Sequence, residues 1–138
     1  MQTNEFTYLG NPNLKRANVQ QEWTEEHVKE YARCMQDPLY FIQTYVRIVS
    51  LDEGLIPFKM YPFQKEMVGT FHKNRFTICK LPRQSGKSTT MISYLLHYSL
   101  LNPSVNIAIL ANKAATARDL LGRLQLAYEN LPSGCNKV

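Results

Sequence analysis

Residues 1–22 are polar, include Gly10, Pro12 and four asparagines, and show no sustained period, so they predict an extended or mobile arm. The rhythm of apolar positions starts at Trp23. Thr24 suits a helix N-cap, Glu25 and Glu26 complement the positive end of the helix dipole, and Trp23 is placed to staple against Val28. Val28, Tyr31, Ala32 and Met35 follow the i, i+3, i+4, i+7 spacing of one buried face, which leaves His27 on the solvent side. Asp37 and Pro38 end this helix and cap a second, which runs to about Val49 and is apolar almost all round, as a helix buried on several sides is. Asp52-Glu53-Gly54 predicts a turn, and Pro57 allows only a short extended piece after it.

A third helix opens at Pro62, with Phe63, Met67 and Phe71 one turn apart. Phe76 to Leu81 reads as a short apolar strand running into a tight loop, and Met91, Ile92, Leu95, Leu96 and Leu100 sustain the helix that follows until Asn102-Pro103 stops it. Val105 to Ala111 is a continuous apolar run, the pattern of a parallel strand buried on both faces. Strand, helix and strand in this order predict a right-handed βαβ unit. Ala114, Ala117, Leu120, Leu121, Leu124 and Tyr128 mark a last amphipathic helix, ended by Pro132-Ser133-Gly134. Asn112, Lys113 and Arg118, at its start, are expected at the carboxyl end of the sheet, where such folds bind ligands, to touch DNA or face water.

The chemistry lies in Leu81-Pro82-Arg83-Gln84-Ser85-Gly86-Lys87-Ser88-Thr89. A loop that wraps a helix N-terminus turns backbone N–H groups inward, and the dipole favours negative charge there, so the backbone of Gln84, Ser85 and Gly86 is a candidate cradle for a triphosphate. Gly86 lets the backbone approach the β-phosphate, Lys87 brings an ammonium between the β- and γ-phosphates, the Ser88 hydroxyl is a ligand for Mg²⁺, and Thr89 offers a donor to the α-phosphate. Arg83 is positioned to stabilise charge developing on the γ-phosphate, or to pair with a nearby carboxylate. Leu81 stands where the general phosphate-loop pattern has its first glycine, and a bare Gly-Lys-Ser also fits a helix start on a solvated surface. Upstream, the Gln64 amide can accept from adenine N6 and donate to N7 while Tyr61 or Phe63 covers the ring; alternatively Phe63 is core and Gln64 surface.

Pro82-Arg83-Gln84-Ser85-Gly86-Lys87-Ser88 resembles the deviant Walker A loop of large terminase subunits, the ATPases that package DNA into the heads of tailed bacteriophages, whose loops read Arg-Gln-x-Gly-Lys-[Ser/Thr] and lack the first glycine. Leu55-Ile56-Pro57-Phe58-Lys59-Met60-Tyr61-Pro62-Phe63-Gln64 resembles the adenine-recognition segment of the same family, and Asp37-Pro38-Leu39-Tyr40-Phe41 is most similar to its myophage version. The resemblance covers nearly the whole chain. It implies an ATP- and Mg²⁺-dependent motor that drives double-stranded DNA through the portal protein of an empty capsid. It also implies assembly as a homo-oligomeric ring, a small terminase subunit as partner, and work in the host cytoplasm. Superfamily-two helicases also place an aromatic-Gln segment before a Walker A loop, usually one richer in small residues, and a nucleotide-gated DNA-binding module without hydrolysis is a third reading.

Composition narrows these readings. A chain of 138 residues with 44% hydrophobic and 20% charged residues suits one globular unit. Net charge is +5, divided as −2 over residues 1–66 (seven Lys/Arg against nine Asp/Glu) and +7 over residues 67–138 (nine against two). The basic half holds the loop, and Lys73, Arg75 and Lys80 suggest a polyanionic partner or a solvated face. Cys34, Cys79 and Cys135 are odd in number and far apart, and read as reduced thiols of an intracellular protein. No charged-then-apolar leader and no membrane-spanning run is seen.

The expected fold class is α/β: the N-terminal part of a RecA-like P-loop ATPase domain, with a parallel sheet and flanking helices, preceded by a small helical subdomain. The boundaries are an arm over 1–22, the helical subdomain over 23–60 and an incomplete P-loop core over 61–138. Two parallel strands do not make a stable sheet, and after Lys87 the only acids are Asp119 and Glu129, both in a helical pattern. The Walker B strand with its carboxylates, and a nuclease domain, are therefore expected beyond Val138.

Overall fold

The helix boundaries obey the capping chemistry closely. In the computed structural model, which describes residues 7–8, 11–15, 23–50 and 52–132, α1 (Glu25–Gln36) begins after Thr24, whose hydroxyl accepts from the His27 N–H. Asp37 closes α1 and opens α2 (Pro38–Tyr45), its carboxylate accepting from the N–H groups of Leu39 at 2.9 Å and Tyr40 at 3.1 Å. Three further helices follow: α3 (Pro62–Lys73), α4 (Lys87–Leu101), which ends at Asn102, and α5 (Ala114–Glu129).

Strands are few and antiparallel. β1 (Thr7–Tyr8) pairs with β2 (Asn11–Lys15) across a bulge, so part of the stretch expected as an extended or mobile arm forms an antiparallel pair; its remaining residues lie outside the described ones. β3 (Arg47–Ser50) pairs with β4 (Gly54–Pro57) in the register Arg47 with Pro57 and Ile48 with Ile56, around the turn at Asp52-Glu53. The second helix therefore stops at Tyr45 and does not reach Val49. A short apolar run fits helix and strand equally by period, and the β-branched pair Ile48-Val49, facing Leu55-Ile56 across a turn, favours the hairpin.

The expected RecA-like parallel sheet is not formed: the described residues are mostly helical, with only these antiparallel pairs. Both runs read as buried parallel strands, Phe76–Leu81 and Val105–Ala111, lie outside any helix or strand. A strand buried on both faces needs paired neighbours and covering helices. Neither run is paired among the described residues, and Ile78 is 98% and Leu110 88% exposed. Asn112, Lys113 and Arg118 accordingly stand exposed at the start of α5 with no sheet beside them.

The core gathers instead around α4. Leu96 and Leu101 of α4 belong to one buried cluster with Phe41 and Ile42 of α2, Val46, Phe58, Val68 of α3, Ala127 of α5 and Leu131. α1 meets it through Cys34 and Tyr31, whereas Val28 and Met35, expected on the buried face, are exposed, and Trp23 packs edge-on against Tyr31 at 5.8 Å. Cys34 and Cys79 are free, one buried and one exposed, and burial pushes the Cys34 thiol up to about 11. Cys135 lies outside the described residues.

His97 ties α4 to α1. Its ring packs against Phe41 at 5.3 Å and Tyr94 at 6.2 Å, and its Nε2 lies 2.8 Å from the Cys34 carbonyl oxygen. A carbonyl only accepts, so Nε2 carries the proton and the buried Nδ1, which has no hydrogen-bond partner among the described residues, is bare. Burial holds the His97 pKa below its ordinary value of 6.5. Below that value the unfolded chain takes up a proton that the native state refuses, so stability is complete above about pH 6.5 and falls as the pH drops below it, by at most about 1.4 kcal/mol per pH unit. Chemical unfolding of wild type and His97→Gln at pH 7.5 and 5.5 measures this: the variant should lose less stability between the two values, and equal losses would contradict the assignment.

Candidate functional site

The site is a cavity of about 820 Å³ between the β3–β4 hairpin, the start of α3 and the loop before α4. Local sequence builds each wall. Pro62 at the first position of α3 holds Tyr61 and Phe63 on either side of the helix start, where their rings lie parallel, 7° apart in plane and 5.9 Å between centroids. Tyr61 is 66% exposed and Phe63 is on the edge of exposure, so this aromatic pair presents open surface to the cavity. The loop wall comprises Leu81 through Gly86 together with Thr89.

That loop makes its turn through two left-handed residues, Gln84 at φ 59° and Gly86 at φ 72°. Gly86 is the N-cap of α4 and makes no side-chain cap bond, so the first-turn N–H groups of α4 have no intrahelical acceptor. The Gly86 carbonyl accepts from the N–H and the hydroxyl of Thr90, at 2.9 Å and 3.0 Å, and Thr90 is fully buried. Within the loop the Pro82 carbonyl accepts twice, from the Ser85 hydroxyl at 2.9 Å and the Lys87 ammonium at 3.1 Å. An ammonium, a positive helix end and backbone donors thus converge where Gly86 meets α4.

The sequence-predicted residues separate into two groups. Tyr61, Phe63, Gln64, Arg83, Gln84, Ser85, Gly86 and Thr89 line the one cavity, while Lys87 and Ser88, half-buried on the first turn of α4, are not part of its lining. Arg83 is exposed and makes no ion pair among the described residues. Gln64 is 3% exposed. It is not a surface residue, and its amide meets backbone on both sides: its Oε1 accepts from the Tyr61 N–H at 2.9 Å and its Nε2 donates to the Ser85 carbonyl at 3.2 Å.

Ile48, Glu53, Ile56, Pro57, Phe58 and Lys59 complete the lining; none was singled out as a site residue, although Ile56 to Lys59 fall in the segment that resembles an adenine-recognition segment. Two β-branched segments flanking Asp52-Glu53-Gly54 were the available signal for a hairpin, and the hairpin is what carries Glu53 to the cavity. No group of His, Cys, Asp and Glu among the described residues is arranged to hold a metal ion, and no helix among them is long and apolar enough to cross a membrane. The sequence matches no protein-family model.

A methyl group on Gly86 would lie 2.5 Å from Gln64 Nε2, and the left-handed backbone disfavours any side chain there, whereas Gly69 and Gly122 have open space on helices. Gly86→Ala should therefore destabilise by about 1–2 kcal/mol or more, and Gly69→Ala and Gly122→Ala should stabilise by about 0.5–1 kcal/mol each. Urea unfolding of the three variants checks the opposite signs.

Proposed function

We propose that the cavity binds a nucleoside triphosphate, ATP with Mg²⁺, its phosphates at the loop 82–89 and its base against Tyr61 and Phe63. The observation that carries this reading is the left-handed Gly86 at the head of α4, with Lys87 beside it, facing a cavity whose opposite wall is an exposed aromatic pair. In this reading the N–H groups of the first turn of α4 bind phosphate oxygens, and Lys87 leaves the Pro82 carbonyl for the β- and γ-phosphates. Thr89 faces the same cavity and donates to the α-phosphate, and the exposed Arg83 guanidinium turns toward the γ-phosphate. Ser88, on the turn next to Lys87, is the residue that would hold Mg²⁺, which neutralises phosphate charge when bound.

The wider role follows from the resemblance of Pro82 to Ser88, and of the segment ending at Gln64, to large terminase subunits. We propose that the chain is the nucleotide-binding part of such a motor, which packages double-stranded DNA. The excess of positive charge after residue 66 agrees with a polyanionic partner. The portal protein, the small terminase subunit, a ring assembly and a place at the procapsid in the host cytoplasm belong to the same proposal. Among the described residues Glu53 is the one acid lining the cavity, and phosphoryl transfer to water uses one carboxylate for the metal and another for the nucleophile. The 138-residue chain should therefore bind ATP and hydrolyse it slowly or not at all.

Lys87→Ala should weaken Mg²⁺-ATP by about tenfold or more, the loss of a charge-assisted contact worth about 1.5–3 kcal/mol, while leaving adenosine binding unchanged. Titration calorimetry with both ligands tests it; unaltered ATP affinity in a folded Lys87→Ala protein would remove the phosphate loop from the account.

A further inference from the structure

We infer that Gln64 is a positioning residue that braces the phosphate loop against the start of α3, and that it does not read the base. The inference rests on the nucleotide reading above and assigns base-independence to that site. Three observations carry it. First, both ends of the amide are engaged by backbone: Oε1 accepts from the Tyr61 N–H at 2.9 Å, and Nε2 donates to the Ser85 carbonyl at 3.2 Å. These partners fix the amide's orientation, because the flipped amide would set oxygen against the Ser85 oxygen and N–H against N–H. Second, although it borders the cavity the side chain is only 3% exposed, so a paired contact to adenine would require the amide to turn away from the Ser85 carbonyl and the Tyr61 N–H together. Third, Nε2 occupies the space that a Cβ on Gly86 would need, 2.5 Å away, so the amide fills the niche behind the left-handed residue that aims the loop.

One side chain thus joins residues 21 apart in sequence and sets the distance between the aromatic wall and the phosphate wall of the cavity. What remains exposed for the base is the Tyr61–Phe63 pair, and ring faces stack on any base, since all bases have a π-face. The site should therefore take purine nucleoside triphosphates with little distinction between ATP and GTP.

The test measures binding of Mg²⁺-tripolyphosphate, Mg²⁺-ATP and Mg²⁺-GTP to the full chain, as wild type, Gln64→Glu and Gln64→Asn. Glutamate is isosteric but places an oxygen against the Ser85 carbonyl; asparagine keeps the amide and is one methylene too short to span both partners. Each variant should bind all three ligands about ten- to a hundredfold more weakly, with an ATP-to-GTP ratio equal to that of wild type. Tripolyphosphate is the deciding ligand, since it has no base to lose contact with. A fall in ATP affinity with tripolyphosphate and GTP unaffected would overturn the inference and make Gln64 an adenine reader. Unchanged affinity for all three, or failure of both variants to fold, would overturn it as well, the latter making Gln64 a residue of the fold alone. If wild type binds tripolyphosphate but variants and wild type do not differ, only the brace is refuted; if wild type binds none of the three, the nucleotide reading falls and the inference with it.

Discussion

Burial of α4 is the constraint on which the other elements depend. It runs between α2, α3 and α5, with Leu96, Thr90 and Ser93 almost wholly removed from solvent. Its hydroxyl-bearing residues solve the cost of that burial locally, because Thr90 and Ser93 donate back to the carbonyls of Gly86 and Thr89. A helix fixed in this way along its length presents its first turn as a rigid edge. The loop before it is then held from three sides: by Thr90 on the Gly86 carbonyl, by Ser85 and Lys87 on the Pro82 carbonyl, and by Gln64 on the Ser85 carbonyl. Rigid backbone donors that need no rearrangement on binding are the physical requirement of an anion cradle.

Much of the helical framework was legible from local chemistry. Asp37-Pro38, Pro62 and Asn102-Pro103 mark boundaries because a cap side chain, a fixed φ or a missing N–H acts within a few residues, whatever the rest of the chain does. Features that depend on distant partners were not legible. Val105 to Ala111 has the composition of a buried strand, but composition supplies no neighbour to pair with, and the run joins no sheet among the described residues. The Ile48-Val49 step reads as easily as helix as strand until Leu55-Ile56 is seen opposite it.

The candidate site shows the same division. The loop residues were singled out by their spacing alone, and the structure brings Arg83 to Gly86 and Thr89 to one cavity. Gln64 was found for its amide, yet its partners, Tyr61 N–H and Ser85 carbonyl, are backbone groups that no side-chain pattern announces. Glu53 was missed for the corresponding reason: it reaches the cavity only because the hairpin folds it there. The parallel sheet that the phosphate-loop pattern implied does not form among the described residues, and the loop is held instead by α3 and α4.

The central claim is that residues 84–89, held by α4 and Gln64, form a phosphate cradle facing the Tyr61–Phe63 wall. Backbone amide NMR during titration with Mg²⁺-ATP tests it most directly, because the N–H groups of the cradle are themselves the reporters. The account predicts that the largest shifts fall on Gln84 to Thr89, with smaller ring-current shifts around Tyr61 to Gln64 and little change in α1 or the C-terminal half of α5. Shifts centred elsewhere, or none at millimolar nucleotide, would contradict it.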